Sequence, residues 1–328
     1  MKWWQQTLRW TILLAVTVAV TIPLTNLGVP SAALFAALAV GIALALMAAG
    51  PQRVPRKIGV AAQGVLGVYI GTMVQQDALS TLKGDWAIVV AVAVGTLLLS
   101  IIAGALLGLR RDVTPLTGSL ALVAGGASGL VAIARELGGD DRVVAVVQYL
   151  RVALVTASMP VVVTLIYHAD RSHSAAPVAE TATAPWYLSV AIMAALIVVG
   201  SVGGRLIRLP GAGLLGPLAL TVALEVSGWS FLLSVPMLLV QAGYMLIGWQ
   251  AGLAFTRESV RSVGRLLPAA VALIVFIGVA TAGLGILLAH VAGLTPLEGY
   301  LATSPGGVYA VLATAVETGS NVTFVIAE

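Results

Sequence analysis

One apolar stretch after another fills this sequence. They run from Trp10 to Leu27, Pro30 to Ala49, Ile58 to Val74, Trp86 to Leu109, Leu116 to Leu137 and Val143 to Tyr167. A second series covers Trp186 to Ile207, Leu214 to Val226, Val235 to Phe255, Leu266 to Val291 and Leu297 to Val316. A helix needs about 20 predominantly apolar residues to cross the hydrocarbon core, and in lipid only helices and closed barrels satisfy every backbone polar group. The chain therefore reads as an all-α, polytopic membrane protein. Only 9% of its residues are charged, against about 25% in soluble domains, and no segment is long enough for a separate soluble domain. That disfavours a cytosolic enzyme, a secreted scaffold and a DNA-binding regulator. With no Cys, disulfides, thiolate nucleophiles and Cys-ligated metals are excluded. The net charge of +4 fits Lys- and Arg-rich cytoplasmic loops, and no basic run supports a nucleic-acid surface.

Residues 168–185 turn polar and rich in Ala, Pro and Thr, the composition of a linker. The boundary falls there, with a first membrane repeat over 1–167 and a second, C-terminally short, over 186–328. A shift of 181 superimposes Pro55 on Pro236, Gly67 on Gly248, Gly71 on Gly252, Thr114-Pro115-Leu116 on Thr295-Pro296-Leu297 and Gly118 on Gly299. It continues with Gly125-Gly126 on Gly306-Gly307, Glu136 on Glu317 and Gly138 on Gly319. Matches at Gly, Pro and Glu in one register mark a duplication rather than chance among Ala, Val and Leu. The first copy continues past Asp141 into a full helix and the second stops at Glu328, so the last helix is expected to be missing.

Charge placement gives orientation. Arg53, Arg56, Lys57, Arg110 and Arg111 follow the second and fourth segments of copy one, where the loops of copy two carry no Lys or Arg. Arg205, Arg208, Arg257, Arg261 and Arg265 follow the first and third segments of copy two. Under the positive-inside rule the copies are inverted repeats, and the N-terminus lies in the cytoplasm. Inversion needs an odd number of crossings, about five per copy, so one segment does not cross. Leu116 to Leu137 is the candidate, broken by Gly125, Gly126 and Gly129 and flanked by cations. It reads as a re-entrant hairpin or broken helix, with Ser304-Pro305-Gly306-Gly307 at the same place in its twin. Irregular backbone at that depth must be buried in protein or line a cavity.

The paired Gly-rich elements, Gly125, Gly126, Ser128 and Gly129 with Ser304, Pro305, Gly306 and Gly307, are the leading candidates for substrate binding. Broken elements in equivalent positions of an inverted repeat point to a carrier's midplane site; small residues also permit close helix packing. Arg151 lies inside an apolar helix with Gln148 three residues before it. A charge there needs a partner, either a protein group such as Glu136, Asp140 or Asp141, a carbonyl, or a substrate anion. Arg135, Glu136, Asp141, Arg142 and Glu317 are candidates for ion pairing or ion coupling, or for a solvated loop. The three His are dispersed, so no metal site and no cofactor is expected. Most Trp residues, Trp249 among them, read as an interfacial belt.

The segments GGASGLVAIARELGGDDRVVAVVQYLRVALV and SPGGVYAVLATAVETGSNVTFVIAE resemble the membrane AbrB family, duplicated bacterial inner-membrane proteins, and the resemblance covers nearly the whole chain. Members carry the labels ammonia monooxygenase or AbrB regulator. The resemblance implies a multi-pass protein of the bacterial cytoplasmic membrane. An oxygenase needs a metal centre these residues do not supply, so no enzyme is expected. The expected function is a secondary transporter of a small solute, an anion being the class the arginines favour, without a P-loop for ATP. The alternative is a membrane sensor that affects gene expression indirectly through a partner. The lipid bilayer and an unknown solute are the expected partners, nucleic acid is not, and a homo-oligomer stays open.

Overall fold

The structure is a computed structural model that describes residues 3–27, 29, 31–74, 76–110, 113–124, 127–167, 185–209, 211–228 and 233–327. Its elements are helices. They are α1 (Trp3–Asn26), α2 (Ala32–Leu46), α3 (Arg56–Gly71), α4 (Gln76–Leu107), α5 (Pro115–Leu122), α6 (Ala127–Glu136) and α7 (Asp141–Val161), the last continued by a π-helical turn (Val162–Ile166). After the linker come α8 (Trp186–Leu206), α9 (Ala212–Val226), α10 (Met237–Gly252), α11 (Arg257–Ser262), α12 (Leu267–Ala292), α13 (Pro296–Ala302), α14 (Val308–Glu317) and α15 (Val322–Ala327). Adding 181 to the bounds of α3 and α6 gives those of α10 and α14. Where α4 is continuous, its counterpart is broken into α11 and α12, with Pro268 in the first turn of α12.

Five helical stretches are long and apolar enough to cross a membrane: Trp3–Asn26, Ala87–Leu107, Asp141–Ile166, Trp186–Leu206 and Leu267–Ala292. They leave large apolar side chains on the outside, with Val279 70% and Val198 62% exposed, which is stable only against lipid or another apolar surface. The apolar segments at residues 30–49 and 235–255 make shorter helices than their composition implies, and those at 58–74 and 214–226 make helices of similar length. α2 and α9 have 15 residues, α3 and α10 have 16. At 1.5 Å per residue that is about 22–24 Å, less than the about 30 Å of hydrocarbon. Prolines set two of the starts: Pro55 and Pro236 stand immediately before α3 and α10 in extended backbone.

The packing repeats as the sequence does. α2 packs on α10 and α9 on α3; α1 covers α2 and α8 covers α9. The second group pairs α4 with α5 and α12 with α13, and α4 meets α12. The equivalent helices α3 and α10 run antiparallel where they touch, because Gly59 lies against Gln250 while Gly243 lies against Ala62 and Leu66. The same holds for α4 and α12: Ala103 and Leu107 share a core with Ala270 and Ile274, whereas Val89 and Val92 share one with Leu288. Close backbone contact fixes the packing of α5 on α4 and of α13 on α12. A Cβ on Gly118 would stand 2.2 Å from the Gly104 carbonyl oxygen, and one on Gly299 would stand 2.0 Å from that of Gly285.

One aromatic departs from the belt expected of it. Trp249 is 6% exposed, packs edge-on to Trp10 at 6.0 Å and donates its indole N–H to Thr17 Oγ1 at 2.9 Å. A buried indole needs such an acceptor, and Thr17 supplies it between α1 and α10.

Candidate functional site

The site begins with two short helical hairpins. Thr114 caps α5 by accepting from the Thr117 N–H, with Pro115 in the first turn. The chain turns beyond Val123 and comes back as α6, ending near its start: the Asp140 N–H donates to Thr117 Oγ1 at 3.0 Å. Asp140 then accepts from the N–H groups of Arg142 and Val143 and starts α7. The second hairpin is built alike. Thr295 and Glu298 form a capping box at the head of α13, and the Asn321 N–H donates to Glu298 Oε1 at 2.7 Å. Thr117 and Glu298, and likewise Asp140 and Asn321, are equivalent under the 181 shift. α5 and α13, of 8 and 7 residues, reach about 10–12 Å, less than half the hydrocarbon thickness.

Both tips converge on one face of α7. Gln148 Nε2 donates to the carbonyls of Leu120 and Val123 at 2.8 and 2.9 Å. Arg151 Nη1 donates to those of Leu122 and Val123 at 3.0 and 2.6 Å. These carbonyls close the C-terminal end of α5, the negative end of its dipole, where a cation is stabilised. Gln148 is fully buried and Arg151 is 2% exposed. The tip of the second hairpin reaches the same guanidinium: a Cβ on Gly306 would lie 3.1 Å from Arg151 Nε. Gly307, in left-handed backbone at φ 74°, caps α14 and faces Thr156 Oγ1, 2.7 Å from where its Cβ would be. A side chain at either glycine would part the second tip from α7.

Among the described residues, three polar atoms at this junction are buried without a hydrogen-bond partner: Arg151 Nε, Gln148 Oε1 and Ser304 Oγ. They offer one charged donor, one acceptor and one hydroxyl. An unpartnered buried polar group costs about 1–3 kcal/mol, more when charged, so three together make a place that favours a polar, negatively charged occupant. The N-terminal amides of α14 add positive potential from the same side. Next to it, between α2, α10, α7 and α14, a cavity of about 20 Å³ is lined by Leu34, Leu38, Thr156, Ile247, Gly248 and Gly307, among others. That is room for one water molecule.

Of the residues the sequence singles out, Arg151, Gln148, Ser304, Gly306 and Gly307 come together here, with Pro305 inside the second tip. Gly125 and Gly126 lie outside the described residues, as does the side chain of Ser128; Ser128 and Gly129 belong to the first turn of α6. No carboxylate named as a partner for Arg151 is bonded to it. Asp141 pairs with Arg135 at 2.5 Å at the exposed base of the hairpin, Asp140 caps α7, and Glu136 and Arg142 are exposed. Glu317 instead accepts from the N–H and Oγ of Ser31. Sequence reasoning missed Ser31 and Thr156, because nothing local distinguishes them. It also missed the Thr117–Asp140 and Glu298–Asn321 ties, which the repeat register would have revealed as polar residues at matched positions.

The five long apolar helices, with large apolar side chains on their outer faces, mark a multi-pass helical membrane protein. Residues 33–328 match the family model described as Transition state regulatory protein AbrB, and the chain belongs to the AbrB family. It is 32% identical over 325 residues to an Escherichia coli (strain K12) protein named "Putative regulator AbrB", covering 98% of this chain and 91% of that one. It is 26% identical over 305 residues to the Bacillus subtilis (strain 168) protein named "Uncharacterized protein YhjN", covering 86% and 76%. No solved structure matches the chain.

Proposed function

We propose that this protein is a secondary transporter of a small anionic solute, of the carboxylate class, and not an enzyme. It acts in the bacterial cytoplasmic membrane with its N-terminus inside. Its units are two inverted repeats, 1–167 and 186–328, joined by the 168–185 linker, each with one re-entrant hairpin. The antiparallel contacts of α3 with α10 and of α4 with α12 support the inversion, and the tie between the two ends of each hairpin supports re-entry.

The observation that carries the reading is the meeting of both hairpin tips on Arg151, with Arg151 Nε, Gln148 Oε1 and Ser304 Oγ unpartnered among the described residues. Carboxylate oxygens accept from Nε and from the hydroxyl, and a hydroxyl or amine on the same solute donates to Gln148 Oε1. Binding at tips that meet in the protein interior is how inverted-repeat carriers hold a solute while access alternates. The about 20 Å³ cavity is too small for a carboxylate of several heavy atoms, so entry requires one hairpin to move off α2 and α10. The chain contains no P-loop, which leaves an ion gradient or the solute's own gradient as the driving force.

The test is counterflow in proteoliposomes across a panel of labelled small carboxylates and neutral analogues. Uptake of at least one anion that depends on the same anion inside is the expected result; no solute-dependent flux across the panel overturns the reading. The description of the family model and the name of the Escherichia coli relative favour a second function, a membrane regulator acting through a protein partner. A specific crosslinked partner in cells, combined with absent flux, would replace the carrier.

A further inference from the structure

A groove of about 420 Å³ opens between α1 and α10. On α1 it is lined by the i, i+3, i+4, i+7 face that runs from Thr7 to Leu14, and on α10 by the same face from Ala242 to Trp249. Each face is about 10 Å long. The hydroxyls of Thr7 and Thr11 donate to carbonyls of their own helix at 3.2 and 3.0 Å, so the walls are apolar in character.

The other repeat has the same two faces closed. Under the 181 shift Met245 corresponds to Gly64 and Trp249 to Val68. There a Cβ on Gly64 would stand 2.5 Å from Ile197 of α8, and Val68, Met193 and Leu196 share a buried cluster. Glycine lets α8 close on α3, whereas Met245 and Trp249 hold α1 off α10. Of the five long apolar helices, α1 is the least covered by protein, so lipid reaches the groove from its open side.

Charge beside the groove has one sign. Arg9, half-buried and next to Trp10, reaches the Gly50 carbonyl through Nη1 at 3.4 Å. Arg257, past the end of α10, donates through Nε to the Leu46 carbonyl. Arg53 is exposed in the same turn, and Val54 beside it packs in one cluster with Leu13, Trp249 and Leu253. The turn after α2 thus gathers three guanidiniums next to the groove. Residues 1–76 contain no Asp or Glu, and neither do residues 226–257. Among the described residues no carboxylate pairs with these arginines.

We propose that the groove and the three arginines form a binding site for an anionic phospholipid, one acyl chain lying between α1 and α10 and the phosphate on Arg9, Arg53 and Arg257. Phosphate oxygens accept charge-assisted hydrogen bonds from guanidinium groups, and basic pockets between membrane helices hold anionic head groups. Inorganic phosphate would use the arginines and leave the apolar walls uncovered. A zwitterionic lipid would fill the groove and leave the arginines without a net countercharge. The site is independent of whether the protein carries a solute.

The test is titration of the detergent-purified full chain with phospholipids of identical acyl chains, with retention read by native mass spectrometry. Phosphatidylglycerol should bind about fivefold or more tightly than phosphatidylcholine. Arg9→Gln should weaken phosphatidylglycerol about fivefold, the effect of one cation at a membrane surface. Arg205→Gln, at the exposed end of α8 and away from the groove, should leave it unchanged. Ala242→Phe fills the groove and should weaken both lipids alike; Thr11→Phe, from the opposite wall, decides this point if Ala242→Phe does not fold. Excess inorganic phosphate should leave the lipid in place. Equal affinity for the two lipids overturns the proposal, as does an Arg9→Gln effect no larger than that of Arg205→Gln, or displacement by phosphate. A lipid-free dimer that Ala242→Phe dissociates would make the groove the seat of a second copy and overturn it too.

Discussion

Replacing Arg151 by Gln tests the centre of the proposed site. Arg151 Nη1 donates to the carbonyls of Leu122 and Val123, and Nε faces Gly306 with no hydrogen-bond partner among the described residues. An anion seated between the tips takes a charge-assisted bond from Nε, worth about 1.5–3 kcal/mol net. At 1.4 kcal/mol per decade its loss weakens anion binding about 10- to 150-fold. A neutral analogue loses less than about threefold, since Gln still offers a neutral donor. Stability has two opposed terms. The shorter Gln leaves tip carbonyls unsatisfied at about 1–3 kcal/mol each, while deleting a buried charge without a counterion returns several kcal/mol, so the variant should remain folded. The assay is isothermal titration of the purified protein in detergent with the best anion from the counterflow panel. Size-exclusion behaviour and thermal unfolding would confirm the fold. Unchanged anion affinity in folded Arg151→Gln refutes the argument and leaves Arg151 as a pin between hairpins.

Gly118→Ala and Gly299→Ala should each destabilise the protein by about 1–3 kcal/mol, because their methyls would meet backbone oxygens at 2.2 and 2.0 Å. Gly278→Ala, with nothing within 4 Å, should be neutral or stabilising by up to about 1 kcal/mol in the same thermal unfolding series. Thr117→Val leaves the Asp140 N–H without an acceptor and should cost about 1 kcal/mol, whereas Arg135→Ala, which breaks an ion pair with one partner 75% exposed, should cost under about 1 kcal/mol. Single cysteines replacing Arg56 and Ser234, exposed just ahead of α3 and α10 or at their start, should label from opposite sides of the membrane; labelling from one side would remove the inversion.

Much of this architecture is legible in the sequence because its determinants are local. Thr-Pro-Leu at 114–116 and 295–297 announces two capped helix starts, and Pro55 and Pro236 announce two more. The glycine interruption inside 116–137 already says that this segment is not one helix. What escapes is set by contacts between distant residues. The short α2 and α10 look longer because apolar sequence continues past their ends. Trp249 looks like an interface marker until Thr17, 232 residues away, accepts its N–H. The partner of Arg151 is the backbone of a hairpin tip, and a carbonyl has no signature in a sequence. The repeat pairs Glu317 with Glu136, and only the fold separates them: Glu317 accepts from Ser31, 286 positions away, while Glu136 is exposed.

The two hairpins are alike in sequence register and unlike in attachment, and on the carrier reading that difference assigns their roles. The first tip is pinned to α7 by four hydrogen bonds from Gln148 and Arg151, two of them charge-assisted. Pulling it away would strand a guanidinium and an amide in a dry interior at a cost of several kcal/mol. In the second hairpin, Thr303 bonds to the Thr281 carbonyl on α12, but Gly306 and Gly307 meet Arg151 and Thr156 by close contact. Ser304 Oγ has no partner to lose. The Glu317 carboxylate on Ser31 also holds α14. The second hairpin is therefore the gate and the first the fixed floor of the site, so the solute reaches Arg151 from the side of Gly306.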